Sequence, residues 1–282
     1  MYTNLQLQKV AGKYGFAIPH FNVDCLEVFQ AIIACAQKLE SPVILGASEG
    51  EARHIFPEYF VALAQKAERT YGVKLSLHLD HGHSLETAEK CLKAGFSSVM
   101  LDGSSLSLEE NIKLTREAVR LAHESLASCE GELGIIPNDK SVDAASGFTD
   151  PEQAAQFVAE TGVDTLAIAI GTKHGPNKGQ TKINWSLLEI LRKKINCPLV
   201  LHGGSGLSED EIQKAIKLGI SKININTEIR LAASQTIKNF IQKDPQAINL
   251  TLMLGGVKEA VEKIVSQKIQ LLGSAGKSKL IE

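Results

Sequence analysis

Residues 73–83 read VKLSLHLDHGH, and the chemistry of the chain gathers at Asp80 and His81, where this alternation meets Gly82. Val73, Leu75, Leu77 and Leu79 alternate with Lys74, Ser76, His78 and Asp80, the two-residue period of a strand. A carboxylate and an imidazole therefore stand side by side where a strand becomes a loop. Two more imidazoles arrive in the same way: His174 in GTKHG follows the apolar run 164–170, and His202 closes the run PLVL at 198–201. One such histidine would be an ordinary hydrogen-bonded loop residue. Three together suit zinc or another borderline divalent ion, and three protein ligands with positions left open is the catalytic arrangement rather than the structural one. His20, His54, His78, His83 and His123 read as structural, with His83 near enough in sequence to orient a ligand.

Two further elements accompany the histidines, the first of them glycine-rich. His202-Gly203-Gly204-Ser205-Gly206 follows one strand and Asn224-Ile225-Asn226-Thr227 ends the next, positions where barrels hold phosphate on backbone N–H groups. Tight-turn geometry would explain the glycines of the first alone. With Gly171 and Gly175 flanking His174 as well, close approach of a ligand to the backbone is the better explanation.

Strands able to present these groups recur along the chain, at 16–21, 42–46, 73–80, 97–101, 127–134, 164–170, 198–201 and 221–225. Helical patterns fill the intervals, among them 26–39, 57–69, 84–94, 107–125, 184–194 and 208–219, with two more at about 228–242 and 256–271. The fifth strand, ASCEGELG, has the weakest pattern. Eight strands alternating with helices in 282 residues give an α/β class, a single (β/α)8 TIM barrel with an extra C-terminal helix. One domain over residues 1–282 is expected, with a helical extension from about 245. The strands' C-terminal ends then form the active-site face. An open doubly wound sheet is the alternative, but it would more usually carry a nucleotide fingerprint at its first turn, and none is seen there.

Composition narrows the partner. A net charge of -2 gives no basic field for nucleic acid, and no run approaches the roughly 18 apolar residues of a membrane helix. A small molecule is expected, with neither nucleic acid nor membrane. The N-terminal residues do not resemble a signal peptide, and Cys25, Cys35, Cys91, Cys129 and Cys197 fall singly in apolar segments, as reduced thiols of a cytoplasmic protein would.

The strings LHLDHG, AIAIGTKHG, LVLHGGSG and KININTE, in this order and spacing, resemble the class II, zinc-dependent aldolases that cleave ketose bisphosphates, most of all the tagatose- and fructose-bisphosphate branch. The resemblance runs from IPHFNV at Ile18 to the last barrel strand. It implies one catalytic Zn2+ per subunit on His81, His174 and His202, Asp80 as the acid/base, and Asn224 beside it as a catalytic residue. It further implies that Gly175, Gly203, Gly204, Ser205, Asn224, Asn226 and Thr227 surround the triose-phosphate portion, with Asn22 and Ser48 near the substrate. Asp102 and Glu132 resemble carboxylates that hold a second, non-catalytic metal. A monovalent cation, Na+ or K+, near the phosphate site and a homodimer or homotetramer belong to the same expectation. The implied reaction is reversible cleavage of a ketose 1,6-bisphosphate to dihydroxyacetone phosphate and glyceraldehyde 3-phosphate.

One stretch departs from the family. Members usually carry a glycine pair and acidic residues after ELG, in a mobile loop whose glutamate moves the C3 proton of dihydroxyacetone phosphate. Here ELGIIPNDK has neither the glycine pair nor a glutamate at the matching place, and Asp139 and Asp143 are the carboxylates left within residues 135–148. Three other readings stay open. A Schiff-base aldolase on the same fold would need a desolvated lysine, Lys74 or Lys222. A non-catalytic partner subunit would have a decayed site. An aldolase for another phosphorylated ketose would share every motif, since epimers differ at one hydroxyl.

Overall fold

A computed structural model describes residues 1–137, 147–175 and 182–282. Asp139 and Asp143, the candidates for the loop base, lie outside the described residues. The eight strands are β1 (Ile18–Asn22), β2 (Val43–Ser48), β3 (Leu75–Gly82), β4 (Ser98–Leu101), β5 (Ser128–Leu133), β6 (Thr165–Ile168), β7 (Leu199–Leu201) and β8 (Ile220–Ile225). Each pairs in parallel with the next, and β8 closes onto β1 through Ile18 opposite Lys222 and His20 opposite Asn224. This is the (β/α)8 barrel read from the alternation. Around it run α1 (Asn4–Tyr14), α2 (Leu26–Lys38), α3 (Glu49–Ile55), α4 (Pro57–Tyr71), α5 (Leu85–Ala94), α6 (Leu108–Glu124), α7 (Pro151–Thr161), α8 (Trp185–Lys194), α9 (Glu209–Lys217), α10 (Thr227–Lys243) and α11 (Leu250–Leu271).

Local chemistry fixes where these helices begin. Ser84 accepts a hydrogen bond from the Thr87 amide, and Ser107 with Glu110 and Ser208 with Glu211 form reciprocal capping boxes. Two helices were not expected. A capping box of Thr3 and Gln6 starts α1, and one of Ser48 and Glu51 starts α3, in a stretch that reads as loop because Glu49-Gly50-Glu51 lacks apolar periodicity.

The strands have two unlike faces. Leu45, Leu75, Leu77, Leu79, Val99, Ile223 and Ile225 join the large apolar core between barrel and helices. A separate small cluster of Leu7, Ala11, Phe16, Ile18 and Ile44 seals the bottom of the barrel under α1. Above that plug the inward positions are polar: His20, Ser76, His78, Glu130 and Lys222 are all fully buried. Polar inward residues are why β5 carried so weak a pattern, for Ser128, Glu130 and Glu132 are the side chains it turns toward the interior.

Candidate active site

His81, His174 and His202 converge at the C-terminal mouth. Their rings stand edge to face, with centroids 4.7 Å apart for His81 and His202, 5.3 Å for His81 and His174, and 6.1 Å for His174 and His202. The three donor nitrogens lie within 4.8 Å of one another. Neighbours on a regular strand point to opposite faces, so Asp80 and His81 should not share a cavity. The register with β4 shifts between Leu79 and Gly82, and His81 takes a left-handed backbone at φ +53°. That irregularity turns His81 back over the mouth beside Asp80.

Each of two imidazoles is oriented by a carboxylate through its far nitrogen. His81 Nδ1 donates to Asp102 Oδ2 at 2.9 Å, and His202 Nε2 donates to Glu130 Oε1 at 2.9 Å. His81 Nε2 and His202 Nδ1 are thereby aimed at each other, 2.9 Å apart. Burial opposes charge on His81, but Asp80, Asp102 and Glu132 outweigh it and push the imidazole up to about 10; burial holds His202 down. The facing nitrogens stand where a divalent ion would be held. His174 is pushed down to about 4 by burial and by the neighbouring imidazoles, which leaves it a neutral donor. Three imidazoles, two of them fixed by carboxylates, fit a borderline divalent ion.

Asp80 is clamped on both oxygens. Asn224 Nδ2 donates to Oδ1 and Asn22 Nδ2 to Oδ2, each at 3.1 Å. Burial alone would raise its pKa, yet the surrounding His20, His81, His202 and Lys222 hold it well below the usual carboxylate range. The carboxylate faces a cavity of about 150 Å³ whose walls are Asn22, Ser48, Asp80, His81, His174, Gly175, Gly203, Ser205, Asn224, Asn226, Thr227 and Arg230. A larger groove of about 400 Å³ between α2, α4 and α11 is mostly apolar and contains none of these groups.

The glycines meet a real constraint at Gly203. Its φ is +68°, and a Cβ there would lie 2.4 Å from the Lys173 carbonyl oxygen, so the loops after β6 and β7 touch backbone to backbone. Gly204, expected at the phosphate, donates its amide to the Asn224 carbonyl at 3.1 Å and stands behind the cavity wall. Asp102 and Glu132 also stay off the wall; with His81 they bring donor atoms within 4.8 Å. Burial and the nearby Asp102 push Glu132 up to about 8, against the pull of His81.

Several residues were invisible in the sequence. Arg230, one turn into α10, reaches the cavity rim and pairs with Asp24 at 2.7 Å and with Glu51. Glu51 in turn accepts from Asn22 Nδ2 at 3.2 Å. The position of Arg230 three residues after Thr227 is the one signal that could have found it. Lys222 gives its ammonium to both oxygens of Glu130 at 2.8 Å, and Lys74 bonds the Tyr2 hydroxyl at 3.1 Å. Neither is the free amine a Schiff base needs. The role foreseen for His83 falls to Asp102; His83 binds Glu49 through its backbone amide at 3.0 Å.

Comparisons with known proteins bear on the chain as a whole. Residues 3–277 match the family model described as fructose-bisphosphate aldolase class-II. A fructose-bisphosphate aldolase of Geobacillus stearothermophilus is 39% identical over 276 residues, covering 96% of each chain. One from Staphylococcus aureus is 36% identical over 274 residues, 95% of this chain and 96% of that one. The crystal structure of the YdjI aldolase from Escherichia coli K12 superposes with a TM-score of 0.87 at 36% identity, covering 99% of this chain and 100% of that one.

Proposed function

This chain belongs to the class-II fructose-bisphosphate aldolase family, and on that premise we propose that it reversibly cleaves fructose 1,6-bisphosphate or its tagatose epimer to dihydroxyacetone phosphate and glyceraldehyde 3-phosphate. The observation that carries the reading is one cavity lined by His81, His174, the clamped carboxylate of Asp80 and the glycines Gly175 and Gly203, with a donor nitrogen of His202 within 4.8 Å of those of the other two imidazoles. We assign His81, His174 and His202 to Zn2+, which when bound supplies Lewis acidity against the negative charge that develops as C3–C4 breaks. Asp80 takes the C4 hydroxyl proton in cleavage and returns it in condensation. Asn22 and Asn224 keep its oxygens aimed at the cavity while leaving a lone pair on each. Gly175, Gly203, Ser205, Asn226 and Thr227 hold the triose phosphate, and that remote binding keeps the reacting carbons in register with Asp80. Arg230, a guanidinium at the rim, meets the second phosphate.

Further parts of the reading rest on the same resemblance. We assign a monovalent cation, Na+ or K+, near the phosphate; the buried Asn226 Oδ1 and Thr172 Oγ1, which lack partners, support it. Asp102 and Glu132, with oxygens within 4.8 Å of one another, are the carboxylates we assign to the second, non-catalytic metal. The chain acts as one domain over residues 1–282, extended by helix from about 245, in a homodimer or homotetramer. A cytoplasmic setting suits its five free thiols. No helix among the described residues is long and apolar enough to cross a membrane.

Exhaustive chelation tests the mechanism. Cleavage of both sugars should vanish, far-UV circular dichroism should remain that of a folded barrel, and zinc should restore turnover. Activity surviving in metal-free protein, or borohydride trapping substrate on Lys222, would reverse the assignment.

A further inference from the structure

Beneath Asp80 the barrel interior holds two imidazoles that the reaction above does not use. His20 on β1 and His78 on β3 are fully buried, edge to face, with centroids 5.6 Å apart. Neither ring nitrogen of His20 has a hydrogen-bond partner. His78 spends Nδ1 on the Ser98 hydroxyl at 2.9 Å and leaves Nε2 unpaired. Buried polar atoms are nearly always satisfied, so three orphaned imidazole nitrogens in one small region call for something that binds them. Space is also set aside for them. Gly46 on β2 stands where a Cβ would come 2.2 Å from His20 Nε2, so any side chain at this position would expel the ring.

The donor atoms of His20, His78 and Asp80 lie within 4.8 Å of one another, as those of the outer histidine triad do. We propose that His20, His78 and Asp80 form a second, inner site for a borderline divalent cation of the zinc class, one layer below the outer triad. The chemistry of the set is right: two imidazole nitrogens and one carboxylate oxygen are donors that zinc, cobalt(II) and nickel(II) prefer. Burial favours the neutral, donating form of both imidazoles. The neighbouring ammonium of Lys222 does not bar a cation, because Glu130 engages it with both oxygens at 2.8 Å. Asp80 keeps a lone pair on each oxygen after accepting from Asn22 and Asn224. It is also the inner site's link to the cavity, since it lines the wall above.

Occupancy of the inner site would have a consequence for catalysis. An ion there draws on the carboxylate that takes the substrate proton, so zinc beyond the first equivalent should inhibit cleavage. The inhibition rests on the proposed function; the binding does not.

Metal-free protein titrated with Zn2+ alone, read by calorimetry and by metal analysis after desalting, separates the two. Wild type should bind a weaker equivalent in addition to those of the outer triad and of the Asp102 and Glu132 set. His20→Ala and His78→Ala, checked for folding by circular dichroism, should each lose that weaker equivalent, retain the outer ones, and in His20→Ala cleavage should no longer fall in excess zinc. A wild type that binds only the tight equivalent would overturn the inference while leaving the aldolase reading intact. So would weaker binding that persists undiminished in both histidine variants and disappears in Asp102→Asn, which would place all of it on the outer carboxylates. A weaker equivalent with the stated histidine dependence, in a protein that cleaves neither sugar, would uphold the inner site and discard the function.

Discussion

A backbone φ of +53° at His81 is rare for a side chain bearing a Cβ, and here it lets an imidazole assigned to zinc and a carboxylate assigned to proton transfer face the same cavity. Asp80→Asn isolates the second of these roles, because the amide keeps the shape and removes the proton acceptor. Cleavage by Asp80→Asn should fall roughly 10²–10⁴-fold, the usual worth of a general base, while the zinc content of the outer triad stays at the wild-type level. Near wild-type turnover would remove Asp80 from the chemistry. His81, His174, His202 and Asp80 were legible because each stands where an apolar run stops, next to glycine, in a motif several residues long. His20, His78 and Glu130 were not, and Lys222 was legible only as a candidate desolvated lysine. They lie one layer down, in mid-strand, where an inward polar residue looks the same in sequence as an outward, solvated one.

At the scale of elements, β5 and β8 are tied across the barrel interior by Glu130 and Lys222, both fully buried. The pair also sets the tautomer of His202, so a stability device and a ligand-orienting device are one object. Lys222→Met leaves Glu130 charged in the core with only the His202 N–H, and it should lower unfolding free energy by about 3–5 kcal/mol in urea titrations. Glu130→Gln combined with Lys222→Met removes both charges and should recover most of that loss. Equal destabilisation of the single and double variants would mean that packing, not charge, accounts for it. The same strands show why sequence reading falters at particular elements. β5 was hard to see because its inward face is serine and glutamate; α1 and α3 were missed although Thr3-Gln6 and Ser48-Glu51 are capping boxes, because α1 opens the chain and α3 is too short for a helical period to show.

The whole molecule adds a constraint that neither residue nor strand reveals. A closed barrel has no sheet edge to pair with another chain, so association must use the helical shell. Where α10 passes into α11 that shell is unusually apolar: Ile248 is 92% exposed, and Leu250 and Leu252 are each 64% exposed. Leu231 and Ile241 on α10 are half exposed as well. Single exposed leucines are ordinary, but three within five residues, next to others on the adjoining helix, are what an interaction face looks like before its partner is present. The partner for a homo-oligomer is a second copy, and a two-fold axis would bring this segment onto its own counterpart or onto α10 of the neighbour. Ile248→Lys with Leu252→Lys places two charges in that face and touches neither the barrel nor the cavity. Sedimentation at micromolar concentration should show the wild type as a dimer or tetramer and the double variant shifted toward monomer, with unchanged circular dichroism and an unchanged zinc content. An identical assembly in the double variant would place the subunit interface elsewhere on the shell.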